Sequence, residues 1–169
     1  GKFKFQGKFE VPRYCTINIY LDPNDRQTRS KIINFSLFID STAVEATCNY
    51  SGKHPVFQIS GSGTQTEYQN YLSEIQPMED DRSKTFHAYG EAYYSTKDLA
   101  KAIDLAKLVT EKRLAIREAK MKYLKAHPES AISVKIAQEL SDRNSDLSLK
   151  EIEGLFTSLS PEMQNSEMG

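Results

Sequence analysis

The sequence is short of almost every feature that names a chemistry. No apolar run approaches the roughly 18 residues of a helical membrane span. Only two cysteines are present, Cys15 and Cys48, too few for a disulfide framework. The three histidines, His54, His87 and His127, stand far apart, and no metal or cofactor is expected from them. The turn Gly61-Ser62-Gly63-Thr64 is glycine-rich but lacks the lysine of a phosphate-binding loop. Nothing in the local sequence activates either thiol, so no catalytic residue is assigned and no enzymatic activity is expected. The opening Gly1-Lys2-Phe3-Lys4-Phe5 is not a signal peptide, and the expected compartment is the cytoplasm.

What the chain does have is charge arranged in blocks. Its net charge is only −1, which argues against a nucleic-acid footprint over the whole protein. Yet residues 1–60 carry 8 Lys/Arg against 5 Asp/Glu, and residues 61–95 carry 2 against 6. Residues 96–130 then carry 9 against 5, and 131–169 carry 3 against 7. Such an alternation reads as internal complementarity between segments, or as a basic surface left open for a partner.

The front of the chain has the period-two pattern and the β-branched and aromatic content of strands. Strands are expected over 2–11, 14–21, 32–39, 44–50 and 56–59. The turn signals between them are Asp22-Pro23-Asn24-Asp25, Ser51-Gly52-Lys53 and Gly61-Ser62-Gly63. A short helix capped by Thr64 or Thr66 is expected to run through Ile75 and to stop at Pro77. Residues 84–94, reading KTFHAYGEAYY, alternate again and are expected to form a last strand.

From residue 96 the period changes to that of a helix. One long helix is expected over 96–126, opened by a near-capping-box of Ser95 and Asp98 and closed by His127-Pro128. Leu99, Ala102, Ile103, Leu105, Ala106 and Val109 share one face, expected to pack on the sheet. Pro128 is expected to begin a second helix carrying Ile132, Ile136 and Leu140. A third is capped by Ser148 with Glu151 and presents Leu149, Ile152, Leu155, Phe156 and Leu159. Pro161 is expected to end it, leaving a flexible tail. The fold class is therefore α+β: a mostly antiparallel five- to six-stranded sheet packed by one long helix, followed by a small C-terminal helical subdomain. The expected divisions are a β-rich domain with one short helix at 1–95, the long helix plus two short helices at 96–160, and a tail at 161–169.

Three constellations invite a functional reading. Arg113, Arg117 and Lys120 fall in the middle of the long helix's apolar stripe and form a cationic ridge. Such a ridge recognises phosphates or an acidic protein surface. The bland alternative is that Glu139, Glu151 or Glu153 on the later helices pair with it. Residues 142–153 place oxygen-bearing side chains at several positions of a calcium-binding loop, but Leu147 stands where that loop needs glycine. Turn and capping chemistry explain the same residues. Near the start, Lys2, Lys4, Phe5, Lys8 and Arg13 interleave cations with aromatics, as a sheet that stacks single-stranded nucleic acid does. Alternation of a buried and a solvated face explains that pattern equally well.

The expected function is a non-enzymatic binding module, an adaptor, inhibitor or accessory factor, contacting a protein partner through Arg113, Arg117 and Lys120. Single-stranded nucleic acid at Lys2, Lys4, Phe5, Lys8 and Arg13 is the alternative. A second alternative is an exported bacterial domain in which Cys15 and Cys48 are bridged.

Overall fold

The computed structural model describes residues 11–21, 32–49, 55–142 and 146–166. The chain divides into two units, Gly1–Tyr68 and Gln69–Gly169.

In the first unit, β1 (Arg13–Tyr20) pairs antiparallel with β2 (Ile32–Ile39), and β3 (Glu45–Asn49) pairs antiparallel with β4 (Val56–Ser60). The register runs from Arg13 opposite Ile39 to Tyr20 opposite Ile32. These strands lie within a residue or two of where alternation and turn chemistry place them. Among the described residues there are four strands in two two-stranded sheets, so a single sheet of five or six strands is not what forms. Residues 2–10 of the strand expected over 2–11 lie outside the described residues.

The core of this unit is aromatic. Tyr68 meets Tyr14 and Phe38 edge to face and Tyr14 is tilted against Phe38, with ring centroids 5.0–5.7 Å apart. Phe35 stacks on Phe57 at 4.3 Å, joining the two sheets. The junction from β4 into α1 (Gly63–Gly90) is a polar knot. Gly61 has φ of +104°, and a Cβ there would fall 2.1 Å from the Ala43 carbonyl oxygen, so only glycine fits. Ser62 caps the helix, its Oγ accepting from the Gln65 N–H at 3.0 Å. Thr64 and Thr66 were the expected caps; the helix begins earlier because Ser62 is buried where its oxygen can reach that donor. Gln65 in turn accepts from the Phe38 N–H at 2.7 Å.

The largest departure from expectation is α1 itself, which continues through Pro77 to Gly90. Pro77 and Gln76 are on the exposed side, where water can satisfy the carbonyl that proline leaves unpaired. The run 84–94, expected as a strand, is helical throughout and ends in a π-helical turn, Glu91–Thr96. Its period-two look is accidental: Phe86, Tyr89 and Tyr93 also sit at helical i, i+3, i+7 spacing, and their rings touch in sequence at 6.0 and 5.8 Å.

The second unit is an antiparallel helical hairpin with three short helices around its base. The π turn is tied off at the Ala92 carbonyl, which accepts from the backbone N–H groups of Lys97 and Asp98. Lys97 takes a left-handed φ of 58° there, and Asp98 caps α2 (Leu99–Ala126) by accepting from the Lys101 N–H at 3.1 Å. The expected Ser95 cap is displaced because Ser95 still belongs to the preceding turn. Tyr71 meets Tyr123 at 4.8 Å, Lys120 reaches Glu79, and Lys112 reaches Asp81. Those partners run in opposite chain directions, which defines the hairpin.

After His127, α3 (Ala131–Leu140) is capped by Ser130, not opened by Pro128, which lies in the turn before it. It is the centre of the core: Ile132, Val134, Ile136 and Ala137 are at most 1% exposed. α3 contacts α2, α4 (Leu149–Thr157) and α5 (Pro161–Gln164). The capping box of Ser148 and Glu151 forms as the sequence indicates. Pro161, expected to begin a flexible tail, opens α5, because Ser160 caps it and Met163 is buried. Leu149, expected on the apolar stripe of α4, is 86% exposed; as the first residue of the helix it projects past the core.

Candidate functional site

Two surfaces of the second unit are candidates, one at each end of the hairpin. At the base, α2 carries the cationic ridge into a cleft of about 280 Å³. Four cations line it, Arg82, Arg113, Arg117 and Lys120, and four acids, Glu79, Glu139, Asp142 and Asp146. The ridge is paired. Arg113 Nη1 lies 3.0 Å and Arg117 Nη1 3.2 Å from the two carboxylate oxygens of Asp146. Lys120 Nζ lies 3.4 Å from Glu79 and 3.1 Å from Glu139, and Lys135 reaches Glu139 at 2.8 Å.

These contacts set the local electrostatics. Burial works to raise the Glu139 carboxyl, but the hydrogen bond from Lys135 and the charges of Lys120 and Lys135 outweigh it, so its pKa is lowered. Asp146 follows the same pattern: desolvation is outweighed by a backbone hydrogen bond and the charges of Arg113 and Arg117 together, and its pKa falls. The Tyr71 hydroxyl is pushed above the ordinary tyrosine range by burial, then by Glu139 and Glu79. Lys120 is only 16% exposed, so its ammonium is largely committed to its two carboxylates. Of the acids expected to meet the ridge, Glu139 does so. Glu151 instead closes its own capping box, and Asp146 and Glu79 take the remaining places. Asp146, an oxygen-bearing position of the calcium-like segment, is held by the two arginines.

The other end of the hairpin has the opposite chemistry. Tyr94 is 68%, Leu99 59%, Ile103 58%, Phe86 55% and Tyr93 42% exposed. Leu99 and Ile103 belong to the α2 face expected to be covered; of the six residues on it, only Ala102 is buried. Helical geometry places these side chains together. Phe86 and Tyr93 each follow a buried residue, Thr85 and Ala92, and so lie about a quarter turn round the helix from its buried side. Leu99 and Ile103 lie about 60° and about 100° from buried Ala102, in the same sense of rotation. Because the helices run antiparallel, equal rotations bring both pairs to one side of the hairpin. Tyr93 and Tyr94 extend the aromatic ladder to the turn, edge to face at 4.8 Å. Sequence reasoning missed this surface; the i, i+3, i+7 spacing of Phe86, Tyr89 and Tyr93 was its one signal.

In the first unit, Asp40 accepts hydrogen bonds from the Ser62 and Thr42 hydroxyls. Burial works to raise its carboxyl, but these bonds and backbone N–H groups of Thr42 and Thr64 hold it well below the usual carboxylate range. The group ties the loop after β2 to the start of α1, a structural role. Cys15 and Cys48 are both free thiols. Of the five residues expected to bind nucleic acid, Lys2, Lys4, Phe5 and Lys8 lie outside the described residues. Arg13 opens β1 and is half-buried. Among the described residues no helix is long and apolar enough to cross a membrane.

The family profile of a domain of unknown function (DUF4369) matches residues 1–68. That stretch coincides with the first unit and stops short of both candidate surfaces. No curated protein and no solved structure gives a match.

Proposed function

We propose that this chain is a non-enzymatic protein-binding module, and that it binds through the aromatic tip of the helical hairpin. The observation carrying this reading is the exposure of Phe86, Tyr93, Tyr94, Leu99 and Ile103 at one end of the hairpin. Large apolar side chains gathered on one side of a projecting element mark association sites. Aromatic residues are also the side chains that contribute most at interface centres. The ridge of Arg113, Arg117 and Lys120 supports the reading indirectly. With its charges met by Asp146, Glu79 and Glu139, it holds the base together and so fixes the helices that present the tip.

A photo-reactive amino acid in place of Tyr94, in the full chain and in its source cell, tests this. The expected result is a discrete cross-linked product from position 94 and none from position 149, which is more exposed but solitary. No product from position 94 would remove the tip as a binding surface.

A further inference from the structure

We infer that the turn between α1 and α2 is a hinge that straightens to join the two helices into one, so that two copies of this chain exchange their α2 helices. The inference concerns the turn; it rests neither on the exposed face of the tip nor on what binds there.

Three observations converge on the exchange. The first is the build of the turn. Between two 28-residue helices and the π turn that extends the first, only Lys97 and Asp98 lie outside helical structure. A reversal this short commonly uses glycine, yet residues 91–98 contain neither glycine nor proline. Lys97 instead takes the left-handed conformation, with φ of 58° and ψ of 24°. That disfavours the closed turn by about tenfold against ordinary helical geometry. The π turn before it is a second departure from α-helical geometry, of the kind found at hinges. Gly90 is already helical, with φ of −58°, and no residue of 91–98 would break a helix running straight through.

The second is symmetry about the turn. Tyr71 and Tyr123, whose rings meet at 4.8 Å, lie equally far along the chain from Lys97. Asp81 and its partner Lys112 do so to within one residue. Two straightened chains laid antiparallel with their turns side by side therefore bring Tyr71 of one copy to Tyr123 of the other. The contacts that close the hairpin are restored between copies, and α3, α4 and α5 travel with α2.

The third is phase. All seven buried residues between positions 69 and 126 fall on one seven-residue repeat. Tyr71, Thr85 and Ala92 occupy its a position, Ala102 and Ile116 its d position, and Ile75 and Leu124 the adjoining e position. The repeat passes through the turn without a slip. A hairpin does not need this, because its turn resets the phase between the helices. A continuous helix packed along its length against another does need it.

Equal amounts of ordinary and heavy-isotope-labelled full chain, unfolded together in urea and refolded at about 300 μM, test the inference. Dimer and monomer are separated by size, then treated with a carbodiimide, which joins a carboxylate directly to an adjacent amine. The link between Asp81 and Lys112 is read by mass spectrometry. In the dimer about half of these links should join a light peptide to a heavy one, and in the monomer none should. Lys97→Gly eases the closed turn and weakens the straight helix, so it should lower the association constant by at least about tenfold. Lys97→Asn, which also tolerates the left-handed conformation, should act in the same direction. Asp98→Ala removes a cap that only the closed turn uses and strengthens the straight helix, so it should raise the constant by at least about tenfold. A native chain that is monomeric after refolding at this concentration overturns the inference. So does a dimer whose Asp81–Lys112 links never mix isotopes, because each hairpin is then still closed on itself. A dimer that none of the hinge variants shifts overturns it as well.

Discussion

The two ends of the hairpin are made from the same pair of helices, yet they meet different fates. At the base, Tyr71, Ile75, Ile116 and Leu124 are buried and the flanking cations are matched by acids from α1, α3 and the segment before α4. At the tip, large apolar side chains face water. The base spends its apolar surface on folding. The tip keeps its own uncovered, although hydrophobic area exposed in this way is unfavourable unless something covers it. The difference teaches that the charged ridge, the more conspicuous feature in sequence, is met by acids of its own chain, whereas the bland aromatic stretch is left exposed.

The largest expected effect lies in the base core. Leu124→Ala or Ile132→Ala, each fully buried, should cost about 2–5 kcal/mol by chemical denaturation followed through helical circular dichroism. Ile103→Ala at the tip should cost less than about 0.5 kcal/mol in a dilute sample. Equal costs at the two sites would erase the contrast. A smaller effect is expected in the charge clamp. Lys120→Ala removes the cation between Glu79 and Glu139 and should cost about 1–2 kcal/mol, more than Arg113→Ala, whose half-exposed side chain should be worth about 0–1 kcal/mol.

Acid should separate the ends further. Glu139 and Asp146 have folded-state pKa values below their ordinary ones. The unfolded chain therefore binds protons first as pH falls, so their contribution is present above the unfolded value, about pH 4–5, and is lost below it. Urea midpoints measured from neutral pH down to about pH 3 should fall, and Lys120→Ala should flatten that fall. The smallest effect is expected at the turn. Lys97→Gly relieves a left-handed residue and should stabilise the chain by about 1 kcal/mol or less in the same denaturation assay.

Much of this was legible in the sequence, and the lapses have physical causes. Strands β1 to β4 follow from alternation and turn residues because both are local. The Ser148–Glu151 capping box and the stop at His127-Pro128 are local as well. The continuation of α1 was hidden by Pro77, which breaks helices in general but here sits on the exposed side where its missing N–H is least costly. The aromatic run 84–94 satisfied strand and helix periods at once, and only the contacts of Tyr89 with Phe86 and Tyr93 separate them. At the candidate sites, the ridge residues were found but their partners were not all foreseen. Asp146 precedes α4 and Glu79 lies beyond Pro77, where the first helix was expected to stop, so neither pairing follows from spacing along one helix. The tip escaped notice because exposure of Leu99 and Ile103 is a tertiary fact, whereas their apolar spacing suggests burial.

The most direct measurement is oxidative footprinting of the full chain in dilute solution, read at single residues. The account predicts that Tyr93, Tyr94 and Phe86 react fast while Tyr71 and Tyr68 are protected. Tip residues as protected as Tyr71 would contradict it.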